Sequence, residues 1–134
     1  MGYRHGSLDE MGSGPGFRKV RQELGVEAFG VNAIVLPPRQ EGFAHYHDEQ
    51  DELYFVHRGR AQVEVDGDSF ELGEGGLLHV EAQTVRKVGN AGDEELVLLV
   101  VGGKGGYVGR DGHAANPDDI ERRAAFGKGD GAGS

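Results

Sequence analysis

Between residues 28 and 101, short apolar runs alternate with turn residues at roughly ten-residue intervals, the cadence of an all-β domain. Ala28 to Leu36 is apolar and stops at Pro37-Pro38. Leu53-Tyr54-Phe55-Val56-His57 and Ala61-Gln62-Val63-Glu64-Val65 flank Arg58-Gly59-Arg60, which reads as one hairpin, and Asp66-Gly67 is the two-residue turn of the next. Gly76 to Val80, Thr84 to Val88 and Glu95 to Val101 supply three more strands, the last an unbroken apolar run suited to burial on both faces. Roughly eight short antiparallel strands predict a jelly roll. Helical spacing is confined to the margins. Phe17, Val20 and Leu24 with Gly25 as a stop predict a short helix over 17–24, with a strand as the main competitor. Near the other end, Asn116 caps a predicted helix over 117–126 that opens with Pro117, Asp118 and Asp119 and carries Arg122 and Arg123 toward its end. Glycines at both margins predict flexible ends. The expected organisation is a tail over 1–16, a barrel with its lead-in over 17–104, and an extension over 105–134.

The chemistry concentrates at His45-Tyr46-His47 and Glu52. In an extended strand residues two apart share a face, so both imidazoles look the same way, and Glu52 is expected to return beside them on a paired strand. Two histidines and a carboxylate make a facial set that leaves coordination positions open. The competing reading is an exposed polar run, since Asp48-Glu49-Gln50-Asp51 follows directly.

The wider spacing resembles the first motif of the cupin family: Pro-Gly, five residues, His-x-His, three or four residues, Glu, six residues, Gly. Pro38, His45, His47, Glu52 and Gly59 fall in that register, with Arg39 in place of the motif's glycine. The second motif, Gly, five residues, Pro-x-Gly, two residues, His, three residues, Asn, is matched at Gly75 and Asn90. Glu81, Gln83 and Arg86 replace its Pro, Gly and His. The resemblance runs from about Val26 to Val101, with the short inter-motif stretch, Arg60 to Glu74, of compact members. It implies a double-stranded β-helix with His45, His47 and Glu52 as metal ligands at the mouth of the barrel and Arg86 facing them where the fourth ligand would stand. Alternation places Tyr54 and Val56 on the side of Glu52, so Tyr54 is expected to line a ligand pocket or to be a core tyrosine.

A guanidinium cannot ligate a metal, so Arg86 has two possible roles. It forms a forked pair with Glu52 in a metal-free site, or it turns outward along the wall and receives an anionic group of the ligand while three residues hold the metal. His79 and His57 are weak substitutes for the missing ligand, and His5 and His113 weaker still. The expected cofactor is a divalent ion, Mn, Fe, Ni, Zn or Co, among which nitrogen and oxygen ligands do not choose.

Composition narrows the partners. The chain has 134 residues, no cysteine and a net charge of −9, so disulfides and thiolate ligands are excluded and general attraction to phosphate backbones is opposed. The basic cluster Arg18-Lys19-Arg21 is too short to reverse that. No apolar run approaches the ~20 residues that span a bilayer and the start lacks a secretory signal's apolar core, so a cytoplasmic location is expected, with neither membrane nor nucleic acid as partner. Three functions remain: a metal-dependent dioxygenase or isomerase acting on a small, anionic molecule, a metal-free binding or sensor module, and an interaction module with an inert pocket. The resemblance also implies a homodimer, for which exposed β edges give a physical motive.

Overall fold

The computed structural model describes residues 2–115. Its strands are β1 (Gly16–Arg18), β2 (Gly30–Leu36), β3 (His45–His47), β4 (Asp51–Arg58), β5 (Ala61–Val65), β6 (Asp68–Leu72), β7 (Leu77–Val80), β8 (Arg86–Asn90), β9 (Leu96–Gly103) and β10 (Gly112–Ala114). They form two five-stranded antiparallel sheets, ordered β1-β2-β9-β4-β7 and β10-β3-β8-β5-β6. This is the jelly roll that the apolar runs predict, with two more strands than the pattern suggested. The helix predicted over 117–126 lies outside the described residues. Among those residues no helix is long and apolar enough to cross a membrane.

Two local expectations change. The segment over 17–24 divides between the two competing readings: Phe17 sits in β1, opposite Ile34 of β2, and only Val20–Leu24 is helical (α1), ending at Gly25 in the left-handed conformation. Backbone pairing with β2 outweighs the helical spacing of Phe17, because a helix this short gains little on its own. The Arg58-Gly59-Arg60 turn is not a hairpin. β4 pairs with β7 and β9, whereas β5 pairs with β6 and β8, so the turn carries the chain from one sheet to the other. Gly59 has φ 92°, and a Cβ there would meet the backbone of Glu95 and Leu96. The Asp66-Gly67 hairpin forms, with φ 50° and 84° at its two residues, as a two-residue turn of primed type requires.

The core lies between the sheets, where alternation brings Ile34 and Leu36 of β2, Tyr54 and Val56 of β4, Ala61 and Val63 of β5, Val80 of β7, and Leu96, Leu98 and Val100 of β9 into one cluster. β2 is buried along its whole length, because Val31 and Ala33 on its other face pack under Val20 of α1 together with Leu8, Met11 and Leu24. β4 belongs to this first sheet, and β3 and β8 belong to the second.

Candidate metal centre

Period two on the short strand β3 turns His45 and His47 into the barrel, 5% and 0% exposed, and leaves Tyr46 on the outer side, stacked on His113. Glu52, 1% exposed, opens β4 on the same side as Tyr54 and Val56. It does not return on a strand paired with β3. β3 and β4 belong to opposite sheets, and the turn at 48–50 carries the carboxylate across the barrel to face the imidazoles. Nε2 of His47 lies 3.3 Å and Nε2 of His45 4.0 Å from Oε1 of Glu52. Burial pushes His45 down to about 3, so its ring is neutral near pH 7. Burial would raise the Glu52 carboxyl, but His47, His45 and Arg86 outweigh it and hold the group below its ordinary value.

These residues fit a divalent ion. One ligand atom from each of the three lies within 4.8 Å of the others. Both Nε2 atoms are buried without a hydrogen-bond partner, since the 3.3 Å approach of His47 to Glu52 lacks hydrogen-bond alignment. Buried polar atoms are rarely left this way, and each costs on the order of 1–3 kcal/mol. Two imidazole nitrogens and a carboxylate oxygen are the donors that Zn, Fe, Mn, Ni or Co accept.

Arg86 stands directly opposite His45 in the β3–β8 register and is fully buried. Its guanidinium faces Glu52 rather than turning outward, with Nη1 3.4 Å from Oε1. The pair is not forked. Nη2 instead donates to the carbonyls of Glu81 and Ala82, at 2.9 and 3.4 Å, because the turn before β8 places both carbonyls over the end of the side chain. Tyr54 is fully interior and donates its hydroxyl to Oε1 of Glu52 at 2.8 Å; burial raises its pKa well above the ordinary value, so it stays a donor. Tyr54 and His45 border a cavity of about 30 Å³, lined otherwise by Phe17, Ile34, Leu36, Phe43, Val88 and Leu98.

The other histidines stay outside. His5, His57 and His79 are exposed, and His113 pairs with Asp48 at 2.8 Å on the outer side of β10. One residue of the site went unseen in the sequence. Oδ1 of Asp111 lies 2.8 Å from Nδ1 of His47, and the carboxylate also accepts from the N–H groups of Glu49 and Gln50 and from the Gln50 side chain. No spacing rule links positions this far apart. An aspartate just before a three-residue strand was the only signal.

The sequence matches the family model described as the cupin domain over residues 33–102. An uncharacterized protein of Methanocaldococcus jannaschii is 29% identical over 75 residues, 56% of this chain and 59% of that protein, so the match spans less than two thirds of the relative's length. Among solved structures, a cupin protein from Bacteroides fragilis has a TM-score of 0.66 at 22% identity, covering 78% of this chain and 86% of that one. A sugar phosphate isomerase of the cupin superfamily from Silicibacter pomeroyi has a TM-score of 0.68 at 23% identity, covering 84% and 82%. At such identities the structural likeness establishes a shared fold. With the family match covering just over half of its residues, the chain belongs to the cupin family.

Proposed function

We propose that His45, His47 and Glu52 hold one divalent metal ion and that a small monoanion completes its coordination. The observation that carries this reading is the pair of buried, unpartnered imidazole nitrogens facing Glu52. Formal charge supports the second half. Glu52 and Asp111 against Arg86 leave one negative charge in excess without the ion and one positive charge in excess with it, which an anion neutralises. A bound ion would supply Lewis acidity toward that ligand. Tyr54 and Arg86 hold the Glu52 oxygen in place.

A small cavity adjoins the centre beside His45 and Tyr54. A volume of about 30 Å³ takes one or two water-sized groups. Formate and bicarbonate are small monoanions close to that size, and of the three proposed ligands His45 borders the space. The test is a Co(II)-loaded sample titrated with formate and followed by visible absorption. The proposal expects a saturable spectral change; a spectrum indifferent to formate and to other small anions contradicts the open positions.

The Arg86–Glu52 contact at 3.4 Å favours a second reading, a metal-free binding module in which the guanidinium alone balances the carboxylate. A homodimer is part of either proposal. Leu77 on the edge strand β7 and Leu53 on the adjoining strand β4 are 59% and 41% exposed, a motive for a second copy to cover that edge. Light scattering at micromolar concentration checks it, and a concentration-independent monomer removes it.

A further inference from the structure

The two ring nitrogens of His47 face different neighbours. Nε2 is aimed at Glu52, while Nδ1 lies 2.8 Å from Oδ1 of Asp111, 64 residues further along the chain and beyond the segment that matches the family. Asp111 is saturated as an acceptor. Oδ1 also takes the Gln50 side-chain amide at 2.7 Å, and Oδ2 takes the backbone N–H of Glu49 at 2.7 Å and of Gln50 at 3.0 Å. Three of the four contacts come from N–H donors, so both oxygens act as acceptors, and in the neutral ring the proton of His47 sits on Nδ1 and the lone pair on Nε2. That lone pair then meets the Glu52 carboxylate at 3.3 Å, acceptor against acceptor, an arrangement that a cation between them relieves.

Asp111 reaches this position because β10 lies along β3, with Gly112 opposite His47 and Ala114 opposite His45. The strand has only three residues and forms the edge of its sheet. It is fastened by Asp111 itself, by the Asp48 N–H to the Asp111 carbonyl at 3.2 Å, by the Ala115 N–H to the Ala44 carbonyl at 2.9 Å, and by His113 on Asp48. Among these, only the Asp111 side chain touches a proposed metal ligand's ring.

We propose that Asp111 is a positioning residue that fixes the Nδ1–H tautomer of His47, presents Nε2 to the metal, and so couples metal binding to the docking of β10. The proposal rests on the metal reading above. Carboxylates behind metal-bound histidines change affinity by about 10–100-fold when removed. Coupling of this kind is reciprocal, so whatever affinity β10 confers, the metal returns as tighter docking of the strand.

Three measurements on the full chain test it. Long-range 1H–15N spectra of the metal-free wild type read the His47 tautomer directly, and Nδ1–H is expected. Zinc affinity, from competition with a chromophoric chelator, is expected to fall about 10–100-fold in Asp111→Asn, which keeps the size but loses the charge and turns an amide N–H toward the donors of Glu49 and Gln50. Amide exchange at residues 112–114 of the wild type is expected to slow on adding zinc. The Nε2–H tautomer in a wild type that does bind zinc would sink the role of Asp111 alone. A wild type that takes no zinc but shows Nδ1–H would sink the metal reading and the coupling with it. Unchanged affinity in a folded Asp111→Asn overturns the proposal as well, and should that variant fail to fold, the wild-type tautomer and exchange data decide.

Discussion

Replacing Arg86 with methionine removes the charge from the barrel while nearly keeping the volume, and so weighs the guanidinium against a metal for possession of Glu52. At 3.4 Å and an effective dielectric constant of about 20, Arg86 and Glu52 attract by roughly 5 kcal/mol before desolvation is counted. Removing one partner of a buried pair typically costs about 3–5 kcal/mol, because the carboxylate is left uncompensated. Metal-free Arg86→Met should therefore melt on the order of 12–20 °C below wild type. A divalent ion restores the balance. If a third of the ~5 kcal/mol had opposed metal binding, the variant binds zinc more than tenfold tighter, at about 1.4 kcal/mol per decade. Zinc at a hundred times its Kd should then return about 2.7 kcal/mol of the lost stability. Scanning fluorimetry with and without zinc, together with chelator competition, gives both quantities. Equal zinc affinities in wild type and variant, or an unchanged metal-free melting temperature, would refute the competition argument.

The pH dependence of stability follows from His45. Its folded pKa, about 3, lies below its ordinary 6.5, so between those values the unfolded chain binds a proton that the folded chain does not, and stability is lost as pH falls through that window. The slope from His45 approaches ~1.4 kcal/mol per pH unit. Glu52, depressed from its ordinary 4.5, adds to the loss only below that value. Urea unfolding at pH 7 to 5 should show the slope in wild type and lose it in His45→Gln; a flat wild type contradicts a buried neutral His45. Gly42→Ala tests how the loop before β3 is seated, because a Cβ there presses into the Val88 carbonyl of β8, and Gly89 returns the same close approach. Loss toward the upper end of the ~1–3 kcal/mol range for overpacking is expected from the urea midpoint, and a neutral effect would mean that the loop does not lie against β8.

Local periodicity made the inward face of the site readable. His45 and His47 are two apart on one strand, and Glu52, Tyr54 and Val56 alternate on the next, so each set shares a face whatever the topology. Connectivity was less accessible. Arg58-Gly59-Arg60 looks the same in sequence whether the chain folds back on its own sheet or crosses to the other, and only the pairing of β4 with β7 and β9 distinguishes the two. The motif spacing placed Arg86 where it would face His45, His47 and Glu52, but the direction of its guanidinium depends on the Glu81 and Ala82 carbonyls, which a turn conformation sets. Asp111 was invisible because its partners at 47, 49 and 50 lie in another part of the chain.

Elemental analysis of the full chain, purified without chelators and then exposed in turn to excess Mn, Fe, Co, Ni and Zn salts, tests the metal centre most directly when His47→Ala is carried alongside. The account predicts a single tightly held ion per wild-type chain and its loss from the variant. A wild type that retains none of the five metals, or a folded variant that retains as much as wild type, would contradict it.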